Sequence, residues 1–129
     1  MSENEFPPGF ESELKNLAID FDGVIHDNNK GFFDGTCYGE IIEGAYEAIE
    51  SLSLRYDIII FTAKAKPSRP MVGGKSGVEL VWEWLDFHKL SPFIKEVTSE
   101  KPRAFAYLDD KAIRFASWEK ALEDLAYYA

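Results

Sequence analysis

Tyr56-Asp57-Ile58-Ile59-Ile60-Phe61-Thr62 is the stretch on which the fold turns. Its consecutive isoleucines leave no polar face, so it reads as a strand buried on both sides, the mark of a parallel sheet covered by helices. Upstream, Ile42, Ala45, Tyr46, Ile49 and Leu52 recur at helical spacing and predict a helix over about 41–54. Downstream, a loop over 64–77 carries Pro67, Pro70, Gly73, Gly74 and Gly77. A helix predicted over about 78–88 follows, with Val78, Val81, Trp82 and Leu85 as its inner stripe.

The same alternation extends to both ends. Leu14 and Leu17-Ala18-Ile19 form a first strand that stops at Asp20, with Gly23 marking its exit. Residues 27–39, rich in Asn, Gly and aromatics, read as a loop or hairpin. Further strands are expected at 93–97, at 105–108 running into Asp109-Asp110, and at 113–115. Ser117 then caps a last helix bearing Trp118, Ala121, Leu122 and Leu125 on one face. Strands alternating with helices predict an α/β three-layer sandwich with a mostly parallel, Rossmann-like sheet. Residues 1–13, broken by Pro7, Pro8 and Gly9, read as a lead-in to a single domain over 14–129.

Composition narrows the function classes. At 129 residues and 46% apolar content the chain can bury a core without a disulfide or a structural metal. Cys37 is the only cysteine, which excludes a disulfide framework and a cysteine-based zinc site. No apolar run approaches the roughly 20 residues that span a bilayer, and the first residues lack the pattern of a secretory signal. The expectation is a soluble cytoplasmic protein with no membrane partner. The net charge of −9 argues against non-specific nucleic-acid binding. Within it lies one basic segment, where Lys64, Lys66, Arg69 and Lys75 occur with no intervening acid. A basic loop on an acidic body suits recognition of an anion.

Ligands of open α/β sheets bind beyond the carboxyl ends of the strands. The polar residues expected there are Asp20 and Asp22, Thr62, and Asp109 and Asp110. In extended chain Asp20 and Asp22 point to one side while Phe21 points into packing. Two carboxylates held together keep their charge when a cation sits between them, and hard oxygen ligands of this kind suit Mg²⁺. A carboxylate can also attack phosphorus and form an aspartyl-phosphate, given a partner acid/base for the leaving oxygen and donors around the phosphoryl group. Thr62 offers a hydroxyl and a backbone N–H, and Lys101 a positive charge.

Four segments then resemble the motifs of the haloacid dehalogenase superfamily of phosphohydrolases: Leu17-Ala18-Ile19-Asp20-Phe21-Asp22-Gly23-Val24, Ile58-Ile59-Ile60-Phe61-Thr62-Ala63, Lys101-Pro102 and Ala106-Tyr107-Leu108-Asp109-Asp110. They occur in the family's order, and the resemblance covers residues 17 to about 125. It implies Asp20 as nucleophile and metal ligand, and Asp22 as general acid/base touching the metal through its backbone carbonyl. Thr62 and Ala63 bind the phosphoryl group, and Lys101 neutralises it in preference to Lys95 or Lys111. Asp109 binds Mg²⁺, and Asp110 assists through a bound water or by orienting Lys101, or else caps the following turn. Only about 35 residues separate Asp22 from the second strand, so the chain resembles members without a cap domain.

The expected activity is hydrolysis of a phosphomonoester, small molecule or nucleic-acid end. A 3′-phosphatase acting on nucleic-acid ends and a catalytically silent phosphate- or partner-binding module are the alternatives. Lys64, Lys66, Arg69 and Lys75 are candidate contacts to a further phosphate, or else a solvated loop. Phe32, Phe33 and Tyr38 either stack on a substrate ring or pack a hairpin onto the body. His26 reads as structural or exposed. Leu80, Trp84 and Phe87 form a second apolar stripe that suggests a homo-oligomer contact, unless the N-terminal segment covers it.

Overall fold

The computed structural model describes residues 15–31, 34–100, 104, 106–109, 113–114 and 117–128, with the backbone alone at 106, 107, 109, 113, 114 and 126–128. Five strands form one parallel sheet: β1 (Asn16–Asp20), β2 (Asp57–Phe61), β3 (Ile94–Thr98), β4 (Ala106–Asp109) and β5 (Ile113–Arg114). Their order is β3-β2-β1-β4-β5. Three α-helices occur among the described residues: α1 (Ala45–Leu52), α2 (Gly77–Phe87) and α3 (Trp118–Tyr128). Short 3-10 turns occupy Ala63–Ala65 and Ser91–Phe93. No described helix is long and apolar enough to cross a membrane.

Register explains which side the core takes. Leu17 pairs with Ile58 and Ile19 with Ile60, and Ile19 also pairs with Leu108. These five side chains share one face and are fully buried. They join a single apolar cluster with Ala45 and Ile49 of α1, Val81 and Leu85 of α2, and Trp118 and Ala121 of α3. Right-handed crossovers from β1 to β2 and from β2 to β3 put α1 and α2 on the same side, and α3 packs beside α1. The described helices therefore line one face of the sheet. Ala18 and Ile59, which alternate onto the other face, are buried as well. A three-layer sandwich requires helices on that second face, and none of the described helices lies there.

The element boundaries follow local chemistry. The first helix begins at Ala45 rather than near residue 41, because Gly44 sits at φ 84° and Ile41 is bridged to His26. Gly supplies that left-handed conformation at no steric cost. In α2, the Ser76 side chain accepts from the Glu79 N–H while Glu79 accepts from the Ser76 N–H, a reciprocal capping box. Ser117 caps α3 as its sequence suggested, accepting from the Lys120 N–H at 3.2 Å.

The strand order has a functional consequence. From β1 the chain moves out to β2 and β3, then returns to place β4 on the opposite side of β1. Parallel sheets bind ligands where the order reverses in this way, at the carboxyl ends of the two strands involved. Those ends are Asp20 on β1 and Asp109 on β4.

Burial ranks the side chains by their expected cost. Ile60→Ala, at a fully buried position, is expected to remove about 2–5 kcal/mol of stability. Leu54→Ala, at a position 85% exposed, should change it by less than about 0.5 kcal/mol. Urea unfolding of both variants beside the wild type checks the contrast.

Candidate functional site

Beyond β1 the chain folds into one tight loop. The Phe21 carbonyl accepts from the N–H groups of Val24, Ile25 and His26, and the Gly23 N–H donates to the His26 carbonyl at 2.8 Å. Gly23 stands at φ 82° to allow it. Phe21 enters the core, fully buried, while Asp20 and Asp22 are both partly exposed. Asp20 closes β1 and Asp22 lies in the loop just beyond it. Continuing the β1–β4 register by one residue sets Asp109 beside Asp20, on strands about 4.8 Å apart.

Asp22 has three partners among the described side chains. Its Oδ2 accepts from the Thr62 hydroxyl at 3.2 Å. Its Oδ1 accepts from His26 Nδ1 at 3.1 Å and lies 3.6 Å from the Lys64 ammonium. Thr62 also caps the 3-10 turn, accepting from the Lys64 N–H at 3.2 Å. The backbone N–H of Thr62 is not available at the rim, because it donates to the Thr98 carbonyl at 2.9 Å. Ala63 opens the turn in an exposed position.

Of the two alternatives for His26, structural or exposed, the structure shows the buried one, in contact with Asp22. It is fully buried, stacked on Phe21 at 5.0 Å, with the edges of Tyr38 and Trp84 against it. The Gly39 N–H donates to its Nε2 at 2.8 Å. A backbone N–H can only donate, so Nε2 accepts and the ring proton sits on Nδ1, directed at Asp22. The one signal in the sequence was its position four residues after Asp22 across a glycine. That spacing becomes a contact only once the Gly23 loop forms.

Lys64 also departs from expectation. It is 2% exposed, paired with Asp22, and does not project from a solvated loop. Burial of an ammonium is tolerated because a carboxylate accompanies it. Gly77, at the start of α2, is pressed against the Lys64 carbonyl so closely that a Cβ there would lie 1.5 Å from the oxygen.

The rest of the basic loop is dispersed. Lys66 is exposed, and Lys75 is engaged by Glu83 of α2 at 2.5 Å. Arg69 shares a cavity of about 130 Å³ with Lys64, Asp34 and Gly77. Lys95 contacts Asn16 and Asp57 at the amino-terminal edge of the sheet, opposite the rim, so it is no rival to Lys101. Lys101, Asp110, Lys111, Phe32 and Phe33 lie outside the described residues.

Tyr38 organises the hairpin: its hydroxyl lies 2.6 Å from the Gly31 carbonyl and 3.0 Å from Asn28 Oδ1, and accepts from the Lys30 N–H. The outer stripe of α2 is split. Trp84 is buried and donates to the Gly39 carbonyl at 3.0 Å, whereas Phe87 is 79% exposed. Between this hairpin and α2 lies an open cavity of about 520 Å³, lined by Cys37, Tyr38, Leu80, Trp84, Phe87 and His88 among others. Burial holds the His88 imidazole below its usual pKa.

Among the described residues no three His, Cys, Asp or Glu side chains gather as a metal-holding group. The described hard-oxygen donors at the rim are the side chains of Asp20 and Asp22. Compared with known proteins, the chain matches no family model, no curated protein and no solved structure.

Cys37 reports on this environment. Burial pushes its thiol up to about 12, with Asp22 raising it further and Lys64 opposing. The thiol therefore stays protonated across neutral pH, and the thiolate is the reactive form. Labelling by a thiol-disulfide reagent at pH 8 is expected to be more than about tenfold slower in the native chain than in urea. Equal rates would contradict the half-buried placement.

Proposed function

We propose that the chain is a Mg²⁺-dependent phosphomonoester hydrolase of the haloacid dehalogenase type, acting in the cytoplasm through an aspartyl-phosphate on Asp20. The observation that carries the reading is the hydrogen bond from Thr62, just past β2, to Asp22, two residues beyond Asp20 at the carboxyl end of β1, the strand beside the order reversal. The finer fold within this reading is a three-layer sandwich without a cap domain. The β1–β2 and β2–β3 connections, with one α-helix each among the described residues, fit the capless form.

The donor chemistry fits the metal. Asp20, the backbone carbonyl of Asp22 and Asp109 on the adjoining strand are hard oxygen donors, and Asp110 follows them in sequence. When bound, Mg²⁺ would offset the charge of the phosphoryl oxygens.

The chain's own residues account for the proton and bond changes. An Asp20 carboxylate oxygen forms a bond to phosphorus as the bond to the leaving oxygen breaks, and Asp22 gives that oxygen its proton. In the second half, Asp22 takes a proton from water as the water oxygen bonds to phosphorus and Asp20 is released. Thr62 stands beside Asp22, where its hydroxyl can also meet the phosphoryl group. Lys101 completes the charge balance. A simple phosphomonoester is favoured over a nucleic-acid end, since Lys64 is turned inward and Lys75 is held by Glu83.

Asp20→Asn is expected to lower turnover of p-nitrophenyl phosphate by more than about 1,000-fold while leaving the circular-dichroism spectrum unchanged. Metal chelation should abolish wild-type turnover, and Mg²⁺ should restore it. Wild-type protein inert with Mg²⁺ across a broad phosphomonoester panel would overturn the reading.

A further inference from the structure

We propose that His26 is a positioning residue for the acid/base Asp22, assisted by Lys64. It holds Oδ1 of Asp22 from behind so that Oδ2 alone faces the reacting group. This rests on the phosphatase reading of the site and adds to it two residues and a division of labour between the carboxylate oxygens.

Three observations converge on it. First, the two oxygens have different surroundings. Oδ1 accepts the Nδ1–H of His26 and lies 3.6 Å from the ammonium of Lys64 as an ion pair, and both partner side chains are almost wholly buried. Oδ2 meets only the Thr62 hydroxyl among the contacts on the described side chains, and a hydroxyl can turn to donate or to accept. The Asp22 side chain remains 21% exposed, so a substrate can reach it. Oδ2 is therefore the oxygen that passes its proton to the leaving oxygen and later receives one from water.

Second, His26 cannot easily change partners. Its Nε2 is committed to the Gly39 N–H, and its ring is stacked on Phe21. The donor at Nδ1 is thereby fixed in direction as well as in tautomer. A carboxylate held by a rigid neighbour loses less orientational freedom in the reaction than one on a free rotor.

Third, the anchor of His26 is itself anchored. Trp84 of α2 donates to the Gly39 carbonyl, so the hairpin, α2 and Asp22 are joined through one imidazole. An alanine Cβ at Gly39 would lie 2.0 Å from the Asp27 carbonyl oxygen and 3.1 Å from His26 Nε2, which leaves no slack in that connection.

The test separates positioning from bulk structure. Asn places an amide near the position of imidazole Nδ1, whereas Gln places one near that of Nε2. His26→Asn thus keeps the donor to Asp22, and His26→Gln keeps the acceptor for Gly39. Turnover is measured on p-nitrophenyl phosphate, whose leaving group needs little protonation, and on phenyl phosphate, whose more basic leaving group needs it.

His26→Gln is expected to lower kcat/KM about 10–100-fold on phenyl phosphate and less than about threefold on p-nitrophenyl phosphate. His26→Asn, which keeps the donor but loses the Gly39 anchor, should lose clearly less than His26→Gln on phenyl phosphate and stay within about threefold of wild type on p-nitrophenyl phosphate. Lys64→Met, which removes the positive charge beside the same oxygen, should shift the ratio in the direction of His26→Gln. Equal losses on both substrates, or equal behaviour of the Asn and Gln variants, would overturn the proposal. Imidazole nitrogen NMR on the wild type gives a readout independent of turnover: the Nδ1–H tautomer is expected, and an Nε2–H tautomer overturns the positioning geometry whether or not the protein turns over. A wild type inert on both substrates but carrying the Nδ1–H tautomer instead rejects the phosphatase reading, and the catalytic role of His26 with it.

Discussion

A buried ammonium organises this molecule. Lys64 is 2% exposed, and an unaccompanied charge at that depth would cost several kcal/mol. Asp22, 3.6 Å away, offsets the cost, and the pairing constrains everything around it. The Thr62–Lys64 turn must stay closed to keep the lysine inward, and Thr62 secures it by capping the turn while donating to Asp22. The amino end of α2 must press down on the same turn, which explains a residue without a Cβ at Gly77. The loop after β1 must bring Asp22 back over the sheet, which explains Gly23 and the crowded Phe21 carbonyl. An ion pair of this kind is a poor source of net stability but a strong constraint on which arrangement is allowed.

That constraint joins two neighbouring strands at the place where topology already opens a crevice. β1 and β2 run parallel and end level, with Asp20 opposite Phe61. The residues just past each end therefore meet: Asp22 from one, Thr62 and Lys64 from the other. On the far side of β1 the returning β4 ends at Asp109. Asp20 and the Asp109 backbone thus come to the strand-order reversal without any long-range motif having to bring them together. Parallel pairing does so as a consequence of the uniform strand direction.

Most of the sheet was legible because its cause is local and strong. The Ile58-Ile59-Ile60 run has only one stable use in a chain of this size, and β2 spans Asp57–Phe61 as that run required. The helix starting at Ala45 was legible in type but not in its first turn. The apolar spacing continues back to Ile41, and the backbone angle at Gly44 overrules it. The acids of the rim were legible as a pattern at strand ends. The burial of Lys64 was not, since it sits among prolines, glycines and cations that all signal a solvated loop. Its side chain is paired with Asp22, from another strand end, while Gly77, thirteen positions later, packs against its backbone carbonyl. Trp84 was misplaced on an outer stripe for a similar reason: the hairpin that covers it comes from 45 residues upstream.

His26 shows most clearly why a site can be half readable. As a sequence feature it is one histidine in a polar stretch. Its role is assembled from a positive-φ glycine, an aromatic neighbour and two backbone groups of a distant hairpin. Each is ordinary by itself, and none predicts the others. Once assembled they leave the imidazole a single tautomer and a single direction. The loop that carries Gly39 is then coupled to Asp22, because a displacement of Gly39 moves the N–H donor that holds His26 Nε2. The residues bordering the large cavity beside α2, Tyr38 and Trp84 among them, are the same ones that enclose this imidazole.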